Sequence, residues 1–217
     1  MAGEMGSSPE DLVTAARESG VSDERVLDAV RATPRAAFVP PDAVDDAYAD
    51  VPIPIGHDQV TTQPSLSARM IEGLRLTGDE HVLEVGTGLG FQTALLARLA
   101  ADVVTVEWWP DLAEQARRNL RAQGIERVTL LTGDGSGGVP AHAPYDAILV
   151  SAAYPEVPPP LIEQLRVGGA IVQPIGRGGQ EDVVAFERAE SGLVRERVLV
   201  PARFVRLHGR YGFPGPR

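Results

Sequence analysis

The 217-residue chain contains no cysteine. That excludes disulfides, thiolate nucleophiles and cysteine-held zinc or iron–sulfur sites. Histidine is scarce as well. His57, His81, His142 and His208 are scattered, with no i,i+4 pair and no His-x-x-Glu-His pattern, so no metal site is expected. No apolar run approaches the ~20 residues that would span a bilayer, and no membrane partner is expected. The first ten residues are acidic and contain Gly, Ser and Pro. They lack the basic-then-apolar order of a secretory signal and read as a disordered start to a cytoplasmic protein. Positive charge is in deficit, with 20 Lys and Arg against 30 Asp and Glu, a net charge of −10. Such a surface repels phosphate backbones, which argues against nucleic acid as a partner and reads as solubility. One local exception is Arg203, Arg206, Arg210 and Arg217, an exposed basic tail or the surroundings of an acidic ligand.

The chain is 43% hydrophobic, enough to bury one medium-sized core. The expected organisation is one domain over 1–217, with an N-terminal helical and loop region (1–75) leading into an α/β core (76–217). Nothing points to a partner protein, and a monomer is expected. Residues 21–33 read as a helix with Ser22 as N-cap, Asp23 and Glu24 in the first turn, and Val26, Leu27 and Val30 on one face. Pro34 ends it. Residues 48–63 carry Pro52, Pro54 and Gly56, which predicts an ordered, extended loop. From His81 onward strands and helices alternate. Strands are predicted over 81–85, 103–106, 128–131, 146–150 and 169–174, and helices over 91–100, 110–123 and 157–166. A hairpin over 183–188 and 193–200 closes the series. Interleaving of this kind implies a Rossmann-like, mostly parallel twisted sheet with helices on both faces and antiparallel C-terminal strands.

The informative stretch is Val82-Leu83-Glu84-Val85-Gly86-Thr87-Gly88-Leu89-Gly90-Phe91. An apolar strand runs into a Gly-x-Gly-x-Gly turn, and a helix follows at once. Glycines there allow a tight turn and a close backbone approach to a ligand at a strand's carboxyl end. A dinucleotide fingerprint would place its third glycine at position 91, which is Phe91. Glu84 would moreover repel a pyrophosphate, yet it suits the ammonium of a bound amino acid, directly or through water. The pattern is that of S-adenosylmethionine methyltransferases. Two further strand ends agree. Glu107 lies 21 residues after Gly86, where a carboxylate can accept from both ribose hydroxyls, and Trp108 beside it is placed to stack on adenine. Gly133-Asp134-Gly135 ends the third strand, with Asp134 as acceptor for the adenine amino group and Gly135 leaving room for the ring.

Over most of its length the chain resembles the protein-L-isoaspartate (D-aspartate) O-methyltransferase family. The likeness is carried by Pro34-Arg35 with Phe38-Val39-Pro40, by Ala47-Tyr48-Ala49-Asp50, by Pro52 through Gly56, by Val60-Thr61-Thr62-Gln63-Pro64, and by Phe204-Val205-Arg206-Leu207. The resemblance implies S-adenosylmethionine as methyl donor, S-adenosylhomocysteine as product, and peptides or proteins bearing isoaspartate or aspartate as substrate. It puts Thr62 where the family has its active-site serine. Gln59, Val60, Thr61 and Ser67 would join Glu84, Gly86, Thr87, Gly88, Gly90, Glu107, Trp108, Asp134 and Gly135 around the cofactor, with His208 at the far edge. Ile53, Pro54, Ile55, Gly56 and His57 on one side, and Phe204, Val205, Arg206 and Leu207 on the other, would flank the peptide. Thr62 also has a second reading, as a cap for the helix starting near Pro64.

Two departures touch the substrate side: Thr62 replaces serine, adding a methyl that restricts χ1, and Arg206 replaces the proline of Phe-Val-Pro-Leu. A carboxylate nucleophile is already ionised at neutral pH and needs no general base, which fits a chain without a Ser–His–Asp set. The activity implied is methyl esterification that initiates repair through a succinimide. A related enzyme that methylates one aspartate of a ribosomal peptide to form an aspartimide, and a small-molecule methyltransferase, remain as alternatives at this point.

Overall fold

The chain was analysed as a computed structural model that describes residues 8–215. Helices α1 (Pro9–Glu18) and α2 (Glu24–Ala32) open it, followed by two 3₁₀ turns at Arg35–Phe38 and Pro41–Asp46. Helix α1 extends the expected helical content; its start is marked by Ser8, whose backbone N–H donates to the Asp11 carboxylate at 2.9 Å. The expected disordered start otherwise concerns residues outside those described. Ser22 does not cap α2. Its N–H and hydroxyl are drawn to Glu72 Oε1, and Asp23 takes the cap by accepting from the Arg25 N–H at 2.8 Å.

The 48–63 stretch is extended as expected and folds into a small two-stranded ribbon, β1 (Pro54–Gly56) with β2 (Gln59–Val60). Helix α3 (Pro64–Gly73) then leads to β3 (His81–Val85), α4 (Phe91–Leu99), β4 (Asp102–Glu107), α5 (Pro110–Ala122), β5 (Val128–Thr132), β6 (Tyr145–Val150), α6 (Pro159–Gln164), β7 (Leu165–Ile175), β8 (Glu181–Ala189) and β9 (Gly192–Ala202). The sheet runs β5-β4-β3-β6-β7-β8-β9. Pairs among β5, β4, β3, β6 and β7 are parallel, and β8 and β9 add antiparallel. Helix α6 is shorter than the expected 157–166 because β7 begins at Leu165, which pairs with Tyr145.

Central strand β3 is buried on both faces, hence the apolar Val82, Leu83 and Val85 of its sequence, with Glu84 as the one buried acid among them. One core joins α1–α4 to Val82, Val103, Leu149 and Val172; the other gathers Leu83, Val104, Ile148, Leu161 and Ile171. The two layers hold the strand tips rigidly, and those tips carry the site.

Candidate cofactor and substrate site

The parallel ladder continues one residue past several strands. The Gly86 N–H donates to Val106 O at 2.9 Å, Gly133 N–H to Glu107 O at 2.8 Å, and Ser151 N–H to Val85 O at 2.9 Å. Gly86, Glu107, Gly133 and Ser151 therefore end on a common rim. Above it the chain turns with φ near +97° at Gly86 and +96° at Gly90, a conformation that favours glycine. A side chain at Gly90 would press within 3.3 Å of Leu120, so close packing of α4 on α5 also requires glycine. A cleft of about 940 Å³ lies over this rim. Its walls include Gly86, Thr87, Gly88, Glu107 and Trp108 from the strand tips, with Gly133 and Gly135 beyond.

The three acids predicted at strand ends have different placements. Glu107 reaches the cleft and is 5% exposed; its Oε2 accepts from the Gly88 N–H at 2.8 Å and its Oε1 from the Trp109 N–H at 3.0 Å. Burial pushes its carboxyl above the ordinary range, opposed by the backbone N–H groups of Trp109 and Gly88. Glu84 is fully buried behind the wall rather than in it. Its oxygens accept from Gln92 Nε2 at 3.1 Å and from the hydroxyls of Thr93 and Thr105, and burial raises its pKa to about 7. Glu84, expected to meet a ligand's ammonium directly or through water, thus lies one side chain away from the cleft. Gln92 stands between, lining the cleft and also donating to Ser151 Oγ at 2.6 Å. Asp134, between the lining residues Gly133 and Gly135, is not itself part of the cleft wall and makes contacts within the protein. Its Oδ1 accepts from the Ser136 N–H at 2.9 Å and its Oδ2 from the Arg210 N–H at 2.7 Å. Asp134 clamps the C-terminal segment, whose Gly215 lies against the Trp108 ring.

On the opposite side the loop of 47–62 is stitched by Arg35, a residue given no role on sequence grounds. Its guanidinium is fully buried and donates to Ala49 O at 2.7 Å, Val51 O at 2.8 Å and Thr61 Oγ1 at 3.0 Å. Desolvation lowers its pKa to about 10, still leaving it charged at neutral pH. The hint was a lone arginine within an apolar Pro-Arg-Ala-Ala-Phe-Val-Pro run. Thr61 lines the cleft with its hydroxyl turned inward, where it also accepts from the Ile53 N–H at 3.0 Å. Ile53 itself is buried against Val39 and Ala47 and lies outside the cleft lining. Pro54 and Gly56 are exposed and, like His57, lie outside the cleft lining. His57 instead stacks on Trp109, ring centres 3.9 Å apart, with Nε2 2.9 Å from Asp111 Oδ2, tying the ribbon to α5. Of this loop Ile55, Gln59, Val60, Thr61 and Thr62 line the cleft.

Thr62 does not cap α3: Gln63 occupies the cap position, and the Thr62 hydroxyl makes no hydrogen bond to a described residue. Ser67, one turn into α3, lines the cleft with a buried hydroxyl that has no partner among the described residues. Val205, Arg206, Leu207 and His208 complete the wall. They are held there by Ala153, whose N–H donates to Val205 O at 2.7 Å and whose carbonyl accepts from the Leu207 N–H at 2.9 Å. Phe204 lines a second chamber, which shares Val60, Thr61, Thr62, Ser151 and Val205 with the first. Arg206 is exposed, its Nε donating to Arg177 O at 3.2 Å and its guanidinium lying 5.1 Å from the Phe213 ring centre. Further lining residues to which the sequence gave no role in the site are Phe38, Trp109, Leu112 and Ser151.

A nucleoside with an amino-acid tail suits this cleft. Glu107 offers an ionisable acceptor at the rim, Trp108 an aromatic face, and Ser67 a hydroxyl in want of a partner. The glycine turn leaves the backbone approachable at Gly88, where an added Cβ would touch only Ile55 at 3.5 Å.

Comparison with known proteins gives a consistent result. A sequence model described as protein-L-isoaspartate(D-aspartate) O-methyltransferase matches residues 7–212. A protein-L-isoaspartate O-methyltransferase from Methanoregula boonei is 49% identical over 203 residues, covering 94% of this chain and 92% of that relative. Another from Anaeromyxobacter dehalogenans is 52% identical over 190 residues, 87% of this chain and 91% of that one. A solved protein-L-isoaspartate O-methyltransferase superposes with a TM-score of 0.81 at 31% identity, over 94% of this chain and 67% of its own. A second structure, from Plasmodium falciparum in complex with S-adenosyl-L-homocysteine, shares the fold with a TM-score of 0.77 at 18% identity over 92% and 97% of the two chains. With its rim of glycines and Glu107 and a match spanning nearly its whole length, the chain belongs to the protein-L-isoaspartate(D-aspartate) O-methyltransferase family.

Proposed function

We propose that this protein transfers a methyl group from S-adenosylmethionine to the free carboxylate of L-isoaspartyl, or D-aspartyl, residues in peptides and proteins, initiating repair through a succinimide. The observation that carries the reading is a pair of adjoining chambers: a cleft rimmed by Glu107 and a second chamber bounded by Phe204 and Val205 have Thr62 in a wall they share. Glu107 would hold the ribose, Trp108 the adenine, and the Gly86–Gly88 turn with Ser67 and Gln92 the remainder. The cofactor supplies an electrophilic methyl group when bound.

The chain's own task is then to bring a carboxylate to that methyl and keep water away. An unperturbed carboxylate titrates near ~4 and is ionised at neutral pH, so no side chain need take a proton. Alignment of two bound reactants can supply about 7–11 kcal/mol. Thr62, whose hydroxyl has no hydrogen-bond partner among the described residues and which lines both chambers, would donate one hydrogen bond to that carboxylate. One neutral donor orients the nucleophile without quenching its charge. Arg35 has an indirect part, keeping Thr61 turned inward so that Thr62 faces the junction. Methoxide in the product ester leaves far more readily than oxide from a carboxylate, so the following backbone nitrogen can attack the ester carbonyl, give up its proton and expel methanol to close the succinimide. The same reading carries a protein that works as a monomer in the cytoplasm, without nucleic acid, consistent with its net charge of −10. No described helix is long and apolar enough to cross a membrane.

The test is mass spectrometry of matched isoaspartyl and aspartyl peptides incubated with protein and S-adenosylmethionine. Methyl ester, followed by succinimide, is expected on the isoaspartyl peptide alone. Methylation of the aspartyl peptide, or of neither while a small molecule is consumed, would reject the repair reading.

A further inference from the structure

The second chamber has a charge character opposite to that of the chain. Arg69 and Arg203 are its charged lining residues; no Asp or Glu lines it. Arg203 makes no hydrogen bond or ion pair with a described residue. Arg69 spends Nε and one terminal nitrogen on Leu199 O, at 3.3 and 3.1 Å, and has no carboxylate partner of its own among those residues. The nearby acids are occupied elsewhere: Glu72, which borders a hollow with Arg69, accepts from the N–H groups of Ser22 and Asp23 at 2.7 and 2.8 Å, and Asp23 accepts from the Arg25 N–H at 2.8 Å. Asp50 accepts from the Ser65 N–H at 2.8 Å and from Gln63 Nε2 at 2.7 Å. Glu181 is buried and accepts from the Phe204 N–H at 3.0 Å. In a protein of net charge −10, two arginines facing one chamber without a counter-charge are a local exception.

Their position relative to Thr62 matters. Neither arginine lines the cofactor cleft; both line the chamber on the other side of Thr62, and Arg69 also borders a neighbouring hollow with Asp23 and Glu72. A cation beside the nucleophilic carboxylate would hold its electrons and slow its attack. A cation one chamber away attracts a different acid without touching the nucleophile. Resting on the methylation reading above, we propose that the second chamber selects substrates in which an acidic residue flanks the isoaspartyl residue, Arg203 and Arg69 being the cations that recognise the flanking carboxylate.

The experiment uses the full chain and isoaspartyl peptides that differ only in one neighbour, Glu, Gln or Lys, placed in turn on either side. Two quantities are read: kcat/KM with S-adenosylmethionine, and the Kd of each peptide for protein saturated with S-adenosylhomocysteine, by fluorescence anisotropy. For a partly exposed pair the Glu peptide should exceed the Gln peptide about threefold, and the Lys peptide about tenfold, on at least one side. The preference should collapse toward unity at about 1 M salt, where the screening length is about 3 Å. Arg203→Glu should invert the Glu-to-Lys order in both readouts, and Arg203→Lys should keep it. Because each readout is a ratio within one variant, a loss of folded protein cancels. Equal values for the Glu and Lys peptides on both sides, or an order unmoved by Arg203→Glu, overturns the inference and leaves the methylation reading intact. Binding of S-adenosylhomocysteine with no methylation of any isoaspartyl peptide overturns both.

Discussion

Replacing Glu107 by Gln isolates the contribution of one charge at the rim. The carboxylate accepts two backbone N–H groups, from Gly88 at 2.8 Å and from Trp109 at 3.0 Å, while facing the cleft at 5% exposure. An amide of the same shape can satisfy only one of them. Whichever way it turns, its NH₂ group meets a backbone N–H head-on, leaving a buried donor unpaired at a cost of about 1–3 kcal/mol. The protein itself is partly compensated, since burial already disfavours the Glu107 charge. Toward a ribose, the loss is one charged acceptor, about 1.5–3 kcal/mol for a charge-assisted hydrogen bond. The expected outcome is a Kd for S-adenosylhomocysteine raised roughly tenfold to a hundredfold, with a Tm lowered by no more than about 8 °C. Titration calorimetry with thermal melts on both proteins decides it. A folded Glu107→Gln variant that binds the nucleoside as tightly as the native chain would refute the assignment of Glu107 to the ribose.

Other substitutions test separate parts of the site. Thr62→Ala should lower kcat roughly tenfold to a hundredfold with the S-adenosylhomocysteine Kd nearly unchanged, and Thr62→Ser should restore most of the rate; equal kcat for all three proteins would remove the hydroxyl from the reaction. Glu84 gives a pH signature. Its folded pKa, about 7, lies above the ordinary 4.5, so its contribution to stability is fully present below about pH 4.5 and is lost as pH rises through about 7. Urea unfolding of the ligand-free protein should therefore show native stability falling relative to Glu84→Gln between pH 5 and pH 8, and a constant difference would argue against a buried titrating carboxyl. Asp134→Ala should release the segment that lies against Trp108 and weaken S-adenosylhomocysteine binding about fivefold to tenfold, read by calorimetry; unchanged affinity would make the clamp irrelevant to the cleft.

Much of this architecture was legible because the residues that carry it are locally determined. The run 81–85 and the glycines after it admit only a strand and a tight turn, and Pro110 and Gly124 bracket α5 within a residue or two. What could not be read was the direction in which side chains at strand tips turn. Glu84, Glu107 and Asp134 look equivalent in sequence, yet one faces inward to Thr93 and Thr105, one faces the cleft, and one turns back to Arg210. Strand alternation accounts for part of this difference, and the C-terminal segment, distant in sequence, for the rest. His57 and Ile53 fell outside the cleft for a similar reason, because Trp109 and Ala47 supply partners that no local pattern reveals. Arg35 escaped notice because a buried arginine is recognised only by the carbonyls around it.

The most direct measurement is a crystal structure of the protein with S-adenosylhomocysteine and an isoaspartyl peptide. The expected result has both ribose hydroxyls on Glu107 and the substrate carboxylate within hydrogen-bond reach of the Thr62 hydroxyl, between the two chambers. A nucleoside seated away from Glu107, or a peptide carboxylate remote from Thr62, would contradict it.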